Sequence, residues 1–386
     1  MRGRYAIGMF SAPEEESPRA QGAYRRTHAR QFFHHGVSTR AGGAPDEGAQ
    51  EVTSQVSVTA LVDQMCTGAQ RPLARLISMV EREDAAVPEI MQRLYPHLGR
   101  AYSIGITGPP GGGKSTLVDR LTAVLRQQGR TVGIIAADPT SPFSGGALLG
   151  DRIRMQQHYL DAGVFIRSMA TRDRHGGLPP AARDVMKLMD AAGKDIILVE
   201  TVGVGQTELD IVETTDTTIV LLVPEAGDAI QTLKAGLMEI GDIFVVNKAD
   251  REGADRLMAE LRMMREIQQT ADGWDVPIIA SQANRGVGVD ALYDAIKAHR
   301  HFLEESGVLQ RRRAQHRRNE LWALVEHRVR QRLMQRVRED SSLAALVEQV
   351  MQAAIDPHTA AARILDDEDT LRRWLLTTHS GAEPSA

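Results

Sequence analysis

Nine consecutive residues, Gly108–Thr116, have the composition of a loop that binds phosphate. They match the spacing G-x-x-x-x-G-K-S, with Gly108, Gly111, Gly112 and Gly113 as the glycines. Glycines let backbone N–H groups turn toward phosphate oxygens, and a helix that begins at Lys114 adds the positive end of its dipole. Lys114 is expected to reach the β- and γ-phosphates, and Ser115 to ligate Mg²⁺. The motif therefore predicts that a nucleoside triphosphate binds here with Mg²⁺.

A second motif indicates which base is bound. Asn247, Lys248 and Asp250 form the pattern N-K-x-D directly after an apolar run that reads as a strand. The Asp250 carboxylate can accept from guanine N1–H and the 2-amino group, whereas adenine offers neither donor and would leave the carboxylate unpaired. The sequence predicts GTP and GDP as the ligands. After the next strand, the run Ser281-Gln282-Ala283 is expected to contact the guanine from the other side.

Acidic residues at strand ends are candidates for a Mg²⁺ and γ-phosphate site. Glu200 ends a strongly apolar run and lies three residues before Gly203. This spacing suits a carboxylate that holds a Mg²⁺-bound water and an N–H that meets the γ-phosphate. Asp138 and Asp151 are predicted as further acidic residues around Mg²⁺, with a helix N-cap as the alternative for Asp151. Lys114, Asp151, Glu200 and Gly203 form the predicted catalytic set.

The residue after Gly203 bears on the rate of hydrolysis. Val204 occupies the position at which Ras-type enzymes carry a water-orienting glutamine, and Gln206 lies two residues further on. We therefore expect slow intrinsic hydrolysis that a partner or second subunit accelerates. Four arginines are candidate charge stabilisers, namely Arg152, Arg154, Arg172 and Arg174.

The elements that must position these residues alternate between apolar strands and helices. The predicted strands are Ala101–Thr107, Thr131–Ala137, Asp195–Glu200, Thr218–Val223, Ile243–Asn247 and Val276–Ala280. The predicted helices between them are Lys114–Gln128, Leu178–Ala192, Ala229–Glu239 and Ala254–Gln269. Near-continuous apolar strands that alternate with helices predict a mostly parallel, doubly wound α/β sheet covered on both faces. The fold class is that of a P-loop NTPase.

Composition divides the 386 residues into four regions. We predict four regions from it: a disordered extension (residues 1–55), an N-terminal helical region (56–100), the nucleotide-binding domain (101–303) and a C-terminal helical arm (304–386). Between residues 304 and 338, ten arginines and four glutamates accompany a stripe of apolar residues. Leu321, Val325 and Val329 recur every four residues in it, which predicts one long amphipathic helix.

Overall composition narrows the class of protein. Hydrophobic residues make up 42%, and the formal net charge of -4 argues against a general nucleic-acid-binding surface. The single cysteine, Cys66, fits a reducing compartment, and no apolar run is long enough to span a bilayer. We expect a cytoplasmic protein with neither a nucleic acid nor a membrane as its partner.

Together these motifs resemble the methylmalonyl-CoA mutase-associated GTPase family, of the MeaB/ArgK type and related to MMAA. The resemblance covers about Leu61 to His299. Its specific segments are Gly108–Thr116, Asp138–Ser141, Gly145-Gly146 with Leu149–Met155, Glu200–Glu208 and Asn247–Asp250. It implies a GTPase that forms a homodimer through its terminal helices. It also implies acidic residues Asp138, Asp151 and Glu200 around Mg²⁺.

The resemblance further implies a partner. Members associate with a B12-dependent acyl-CoA mutase, gate its loading with adenosylcobalamin and protect it from inactivation; no cobalamin is expected to bind this chain directly. Asp228–Lys234 would form an additional switch segment that responds to the mutase. This chain departs from the family pattern at two positions. Many members have Gly where this chain has Glu225, and Lys234 is one lysine of a commonly paired set. The substrate of the partner mutase is therefore left open between methylmalonyl-CoA and another branched acyl-CoA. The alternative is a kinase that passes the γ-phosphoryl group to a periplasmic transport component.

Overall fold

The computed structural model describes residues 57–138, 155–171, 178–201, 209–224, 238–267 and 273–366. Seven strands form its sheet: β1 Tyr102–Thr107, β2 Val132–Asp138, β3 Val164–Ala170, β4 Ile196–Glu200, β5 Thr217–Leu222, β6 Ile243–Asn247 and β7 Ile278–Ser281. The longer helices are α1 Val58–Cys66, α2 Gln70–Glu81, α3 Val87–Leu94, α4 Lys114–Gln127, α5 Ala182–Ala191, α6 Ala254–Ile267, α7 Val289–Glu305, α8 Val308–Glu339, α9 Ser341–Met351 and α10 Pro357–Leu365.

All paired strands of the sheet are parallel, and the order in which successive strands are added reverses at β1. Its strand order is β3-β2-β4-β1-β5-β6-β7, so β1 pairs with β4 on one side and β5 on the other. In an open α/β sheet, ligands bind outside the carboxyl ends of the strands at such a reversal. The prediction of a doubly wound P-loop fold is confirmed, and the loop after β1 lies where a nucleotide site is expected.

Alternate strand residues contribute to different hydrophobic clusters. Ile196 and Leu198 of β4 belong to a cluster with α4 and α7, whereas Ile197 and Val199 belong to one with α1, α2, α3 and α5. Side chains alternate between the two faces of a strand, so both faces of the sheet are covered by helices. This is why the strands read as continuous apolar runs in the sequence.

Strand β3 was not among the predicted strands. It lies at the edge of the sheet and contains Arg167 and Ser168, which interrupt its apolar pattern. Arg167 pairs with Glu81 of α2, and its Nη2 donates to Ser78 Oγ at 3.2 Å. The edge strand therefore carries polar side chains that contact the N-terminal helices. Because these polar residues interrupt the apolar run, the sequence pattern does not indicate a strand here.

The predicted single helix over residues 304–338 is wrong in its first turn. The structure ends α7 at Glu305 and begins α8 at Val308, with Gly307 between them at a φ of 67°. A left-handed glycine is the usual way to end a helix, and here it redirects the chain. The rest of the prediction holds, since α8 runs for 32 residues, about 48 Å at 1.5 Å per residue.

The first turns of α8 are bound to the amino ends of the sheet strands. Val308 and Leu309 are buried in the core cluster of α4 and α7. Arg312 Nη1 lies 2.9 Å from Asp242 Oδ1, and Arg313 Nε and Nη2 each lie 2.8 Å from an oxygen of the buried Asp216. The hydrogen bond to Asp216 raises the pKa of Arg313. We call these two ion pairs the arm clamp.

Beyond the arm clamp, α8 contacts the rest of the chain through polar side chains: Glu320 pairs with Lys187 of α5, and Gln331 Nε2 donates to Glu83 Oε2 at 3.1 Å. All ten residues from 321 to 330 are exposed, and five of them are large and apolar: Leu321, Trp322, Leu324, Val325 and Val329. The predicted apolar stripe therefore exists, but within the described chain it is not covered. Despite the length of α8, no helix in the described ranges is long and apolar enough to cross a membrane.

Candidate nucleotide site

The glycines of the phosphate loop permit close contacts that side chains would block. Gly108 has a φ of 139°, and a Cβ atom there would lie 2.1 Å from the backbone oxygen of Leu221 in β5. Gly113 precedes α4 with a φ of 97°, and a Cβ atom there would lie 2.5 Å from Asn247 Nδ2. Both positions combine left-handed backbone with close packing, so only glycine fits. The loop is thereby held against β5 and β6.

Lys114 lies inside the loop. Its side chain is buried, and Nζ donates to the carbonyl oxygens of Gly108 at 2.9 Å and Pro109 at 3.2 Å. The ammonium group is therefore held at the amino end of α4, where the helix dipole also favours an anion. Gly111 is at the exposed tip of the loop with a φ of 69°, and Thr116 is half-buried in the first turn of α4.

A hydroxyl and a carboxylate meet beside the loop. Ser115 Oγ donates to Glu200 Oε1 at 2.7 Å, and both residues are buried. Asp138, also buried, ends the neighbouring strand β2, which pairs with β4 so that Ala136 is opposite Glu200. Of the predicted metal residues, Asp138 and Glu200 thus end adjacent parallel strands, and Ser115 lies in the first turn of α4, in contact with Glu200. Hydroxyl and carboxylate oxygens are the donors that Mg²⁺ prefers.

The described residues do not form a metal site from protein ligands alone. In these ranges no group of three or more His, Cys, Asp or Glu side chains could hold a metal ion. Mg²⁺ commonly takes one or two protein ligands and completes its shell with water and substrate phosphates. The pair of Ser115 and Glu200, with Asp138 near it, fits that kind of site.

Asn247 joins the phosphate loop to the segment predicted to contact the base. Its Nδ2 donates to the Gly112 oxygen at 2.8 Å, while its Oδ1 accepts from Ser281 Oγ at 2.9 Å and from the Ala283 N–H at 3.0 Å. The side chain is buried. Three of the predicted nucleotide residues are therefore linked through one amide group.

The two segments predicted to bind the base lie side by side. The Ala249 N–H donates to the Ser281 oxygen at 3.0 Å, and β6 and β7 pair up to Asn247 and Ser281. Lys248 has a φ of 55°, and Asp250 is exposed beyond it. Gln282 is half-buried, and its N–H donates to the Val287 oxygen at 3.0 Å. The exposed Asp250 carboxylate is accessible to a ligand at this edge of the sheet.

Several predicted residues lie outside the described ranges. They are Asp151, Gly203, Val204, Gln206, the arginines Arg152, Arg154, Arg172 and Arg174, and the segment from Glu225 to Lys234. The same holds for residues 1–55 and for most of the predicted helix Ala229–Glu239. Their predicted roles stay predictions.

Two buried threonines in this site are not among the residues predicted from the sequence. Thr107 ends β1 immediately before Gly108, and Thr201 follows Glu200. Thr201 Oγ1 donates to Thr107 Oγ1 at 3.0 Å, and both side chains are buried. A threonine at or just beyond the end of an apolar strand, directly beside a functional residue, is the signal that could have identified them.

Comparison with known proteins identifies the family. The family model described as "Methylmalonyl Co-A mutase-associated GTPase MeaB" matches residues 73–338. The chain belongs to the MeaB family. This match includes the phosphate loop, the Asn247–Asp250 motif and most of α8, and the chain is accordingly a P-loop GTPase.

Relatives from distant organisms have related names. A Pyrococcus abyssi protein assigned as a GTPase is 48% identical over 310 residues, covering 80% of this chain and 95% of its own. GTPase ArgK of Escherichia coli is 32% identical over 270 residues, covering 68% of this chain and 82% of its own. The mouse protein "Methylmalonic aciduria type A homolog, mitochondrial" is 30% identical over 326 residues, covering 79% of each chain.

A solved structure shares the fold. The crystal structure described as that of an LAO/AO transport system kinase superposes with a TM-score of 0.60 at 25% identity. The similarity covers 81% of this chain and 98% of that chain. It agrees with the doubly wound sheet described above.

Proposed function

We propose that this MeaB-family GTPase regulates a B12-dependent acyl-CoA mutase, with methylmalonyl-CoA mutase as the leading candidate. In this proposal GTP binding and hydrolysis gate the loading of the mutase with adenosylcobalamin and protect it from inactivation. The observation that carries the nucleotide part is the 2.7 Å contact between Ser115 and Glu200 beside the buried Lys114. The mutase part is supported by the family description, which names association with methylmalonyl-CoA mutase.

Each described site residue has a proposed role in GTP hydrolysis. Lys114 stabilises negative charge on the β- and γ-phosphates, while Ser115, Asp138 and Glu200 hold Mg²⁺ directly or through water. Bound Mg²⁺ would neutralise charge on the phosphate oxygens. Asp151 and Gly203 stay in the proposed catalytic set on the strength of their sequence motifs. Slow hydrolysis without a partner is proposed from Val204.

Guanine selectivity is assigned to Asp250. Asp250→Asn replaces an acceptor with an amide that can pair with xanthine, so this variant should bind GTP more weakly and XTP more tightly. Calorimetric titration with GTP, XTP and ATP measures the change. Asp255→Asn, a substitution of another acidic residue at the start of α6, serves as the control. Unchanged GTP affinity in Asp250→Asn would refute the assignment.

The mutase proposal is tested by turnover in the presence of the partner. GTP hydrolysis is measured with and without B12-dependent mutases from the same genome, with Lys114→Ala as the inactive control. A mutase that raises the rate, and whose adenosylcobalamin loading depends on added GTP, supports the proposal. An unchanged rate with every mutase would overturn it and leave the GTPase activity standing. Labelled phosphate that accumulates on a protein would instead favour the kinase alternative.

We also propose that the chain forms a homodimer through α8. The exposed apolar residues of the 321–330 segment support this, since a contiguous apolar patch on a long helix commonly marks a protein interface. Trp322, 65% exposed, is the largest of them. Trp322→Glu should convert the dimer to a monomer in light scattering after size-exclusion chromatography. Leu160→Glu, at a 98% exposed leucine outside the arm, should leave the mass unchanged. A monomeric parent chain, or a Trp322→Glu dimer, would refute α8 as the interface.

A further inference from the structure

A buried pair of hydroxyl groups connects the two strands that carry the phosphate loop and Glu200. Thr201 Oγ1 donates to Thr107 Oγ1 at 3.0 Å, and the Thr201 N–H donates to the Ile106 oxygen at 3.1 Å. The paired register between β1 and β4 ends at Ile106 and Glu200. The hydroxyl contact therefore extends the connection between the strands by one residue beyond the last backbone pair.

Each threonine of this pair is next in sequence to a residue of the proposed hydrolytic site. Thr107 directly precedes Gly108, whose carbonyl accepts from Lys114 Nζ, and Thr201 directly follows Glu200, which accepts from Ser115. Lys114 and Ser115 are consecutive. Three side-chain contacts and three peptide links thus close a ring through six residues: Gly108, Thr107, Thr201, Glu200, Ser115 and Lys114.

We propose that the Thr107–Thr201 hydroxyl pair positions the Glu200 carboxylate relative to Lys114 and Ser115 for hydrolysis. Glu200 is the last residue of its strand, so its orientation depends on how the chain is held just after it. Without the pair, Thr201 keeps the hydrogen bond from its N–H to the Ile106 oxygen but loses its side-chain connection to β1, and Glu200 can shift relative to the phosphate loop. Displacements of about 1 Å at a reacting site can cost up to ~10²-fold in rate. The inference rests on the proposed roles of Lys114, Ser115 and Glu200.

The test compares single and double valine variants, because valine keeps the shape of threonine without its hydroxyl. Thr107→Val or Thr201→Val alone leaves one buried hydroxyl without this partner, so each should lower stability. The double variant removes both hydroxyls, so part of that stability should return. Its kcat for GTP should nevertheless fall by about 10-fold, with a GTP Kd within about threefold of the parent. The Mg²⁺ concentration for half-maximal turnover should rise.

Two further variants separate positioning from folding. Thr201→Ser keeps the donor hydroxyl and should retain turnover within about threefold of the parent. Thr122→Val makes the same substitution at a buried threonine whose hydroxyl donates to Val118 O within α4, and it should leave kcat and the Mg²⁺ dependence unchanged. If the double variant does not fold, a Thr201→Ser kcat as low as that of Thr201→Val would overturn the proposal.

The outcomes distinguish this inference from the proposed function. A folded double variant with the parental kcat and Mg²⁺ dependence would overturn the positioning role alone. GTP turnover that survives in Lys114→Ala would refute the assigned site, and the inference with it. Loss of turnover in Lys114→Ala, together with a slow double variant rescued by Thr201→Ser, supports both.

Discussion

The arm clamp gives a sharp prediction for Arg313→Met. Asp216 is almost fully buried, and its carboxylate accepts from Arg313 Nε and Nη2 at 2.8 Å each, from the Ser103 N–H at 2.8 Å and from Ser103 Oγ at 2.9 Å. Methionine fills a similar volume but leaves the carboxylate with the two donors of Ser103 only. Removing one partner of a buried ion pair costs about 3–5 kcal/mol. Because the Arg313 side chain is 25% exposed, we expect about 2–4 kcal/mol.

This loss is measurable by urea unfolding followed by circular dichroism. At ~1.5 °C per kcal/mol for a chain of this size, the midpoint of thermal unfolding should also fall by about 3–6 °C. Arg311→Met provides the matched control. Arg311 is exposed, and its one described hydrogen bond is to the Ser306 carbonyl at 3.4 Å. This variant should change the free energy of unfolding by less than ~0.5 kcal/mol. Adding Asp216→Asn to Arg313→Met should recover part of the loss by removing the buried charge. An Arg313→Met variant no less stable than Arg311→Met would refute the reasoning.

Two further predictions concern the nucleotide site and the arm. Asn247→Ala removes the amide that contacts Gly112, Ser281 and Ala283, so GTP should bind at least about 10-fold more weakly by calorimetry; parental affinity would contradict this. Burial lowers the pKa of His316 below its ordinary value of 6.5, so protonation favours the unfolded chain and stability should fall as pH decreases through about 6.5. Between pH 8 and pH 6, the parent should therefore lose more unfolding free energy in urea titrations than His316→Gln; equal losses would contradict the assignment.

Much of the fold was predictable because its strands are buried on both faces. Every strand except β3 has an apolar run that a sequence pattern detects, and Ile243–Asn247 was placed to the residue. Strand β3 was not predicted because Arg167 and Ser168 give this edge strand a mixture of polar and apolar residues. The break at Gly307 was missed because apolar residues recur at helical spacing on both sides of it.

The site was predictable where chemistry is concentrated in one short segment. Lys114 and Ser115 follow from a motif of eight residues, because the whole phosphate cradle is local in sequence. Asn247 was predicted as a nucleotide residue, but its hydrogen bonds to Gly112 and Ala283 depend on how β1, β6 and β7 are ordered in the sheet. The Thr107–Thr201 pair joins residues 94 positions apart, so only the tertiary structure reveals it.

The arm clamp and the exposed segment of α8 make linked predictions. Arg313 lies eight residues before Leu321, about 12 Å along the helix axis, so the clamp, together with the Glu320–Lys187 ion pair, helps to fix the direction in which the apolar residues project. A helix held in one direction loses less conformational freedom on pairing than a loosely attached one. Arg313→Met should therefore weaken the proposed dimer although Arg313 lies outside its interface. Trp322→Glu should abolish the dimer while leaving the pairing of Arg313 with Asp216 intact. Sedimentation velocity across a range of concentrations distinguishes the two effects, and a dimer constant unchanged in a folded Arg313→Met variant would show that the clamp does not orient the arm.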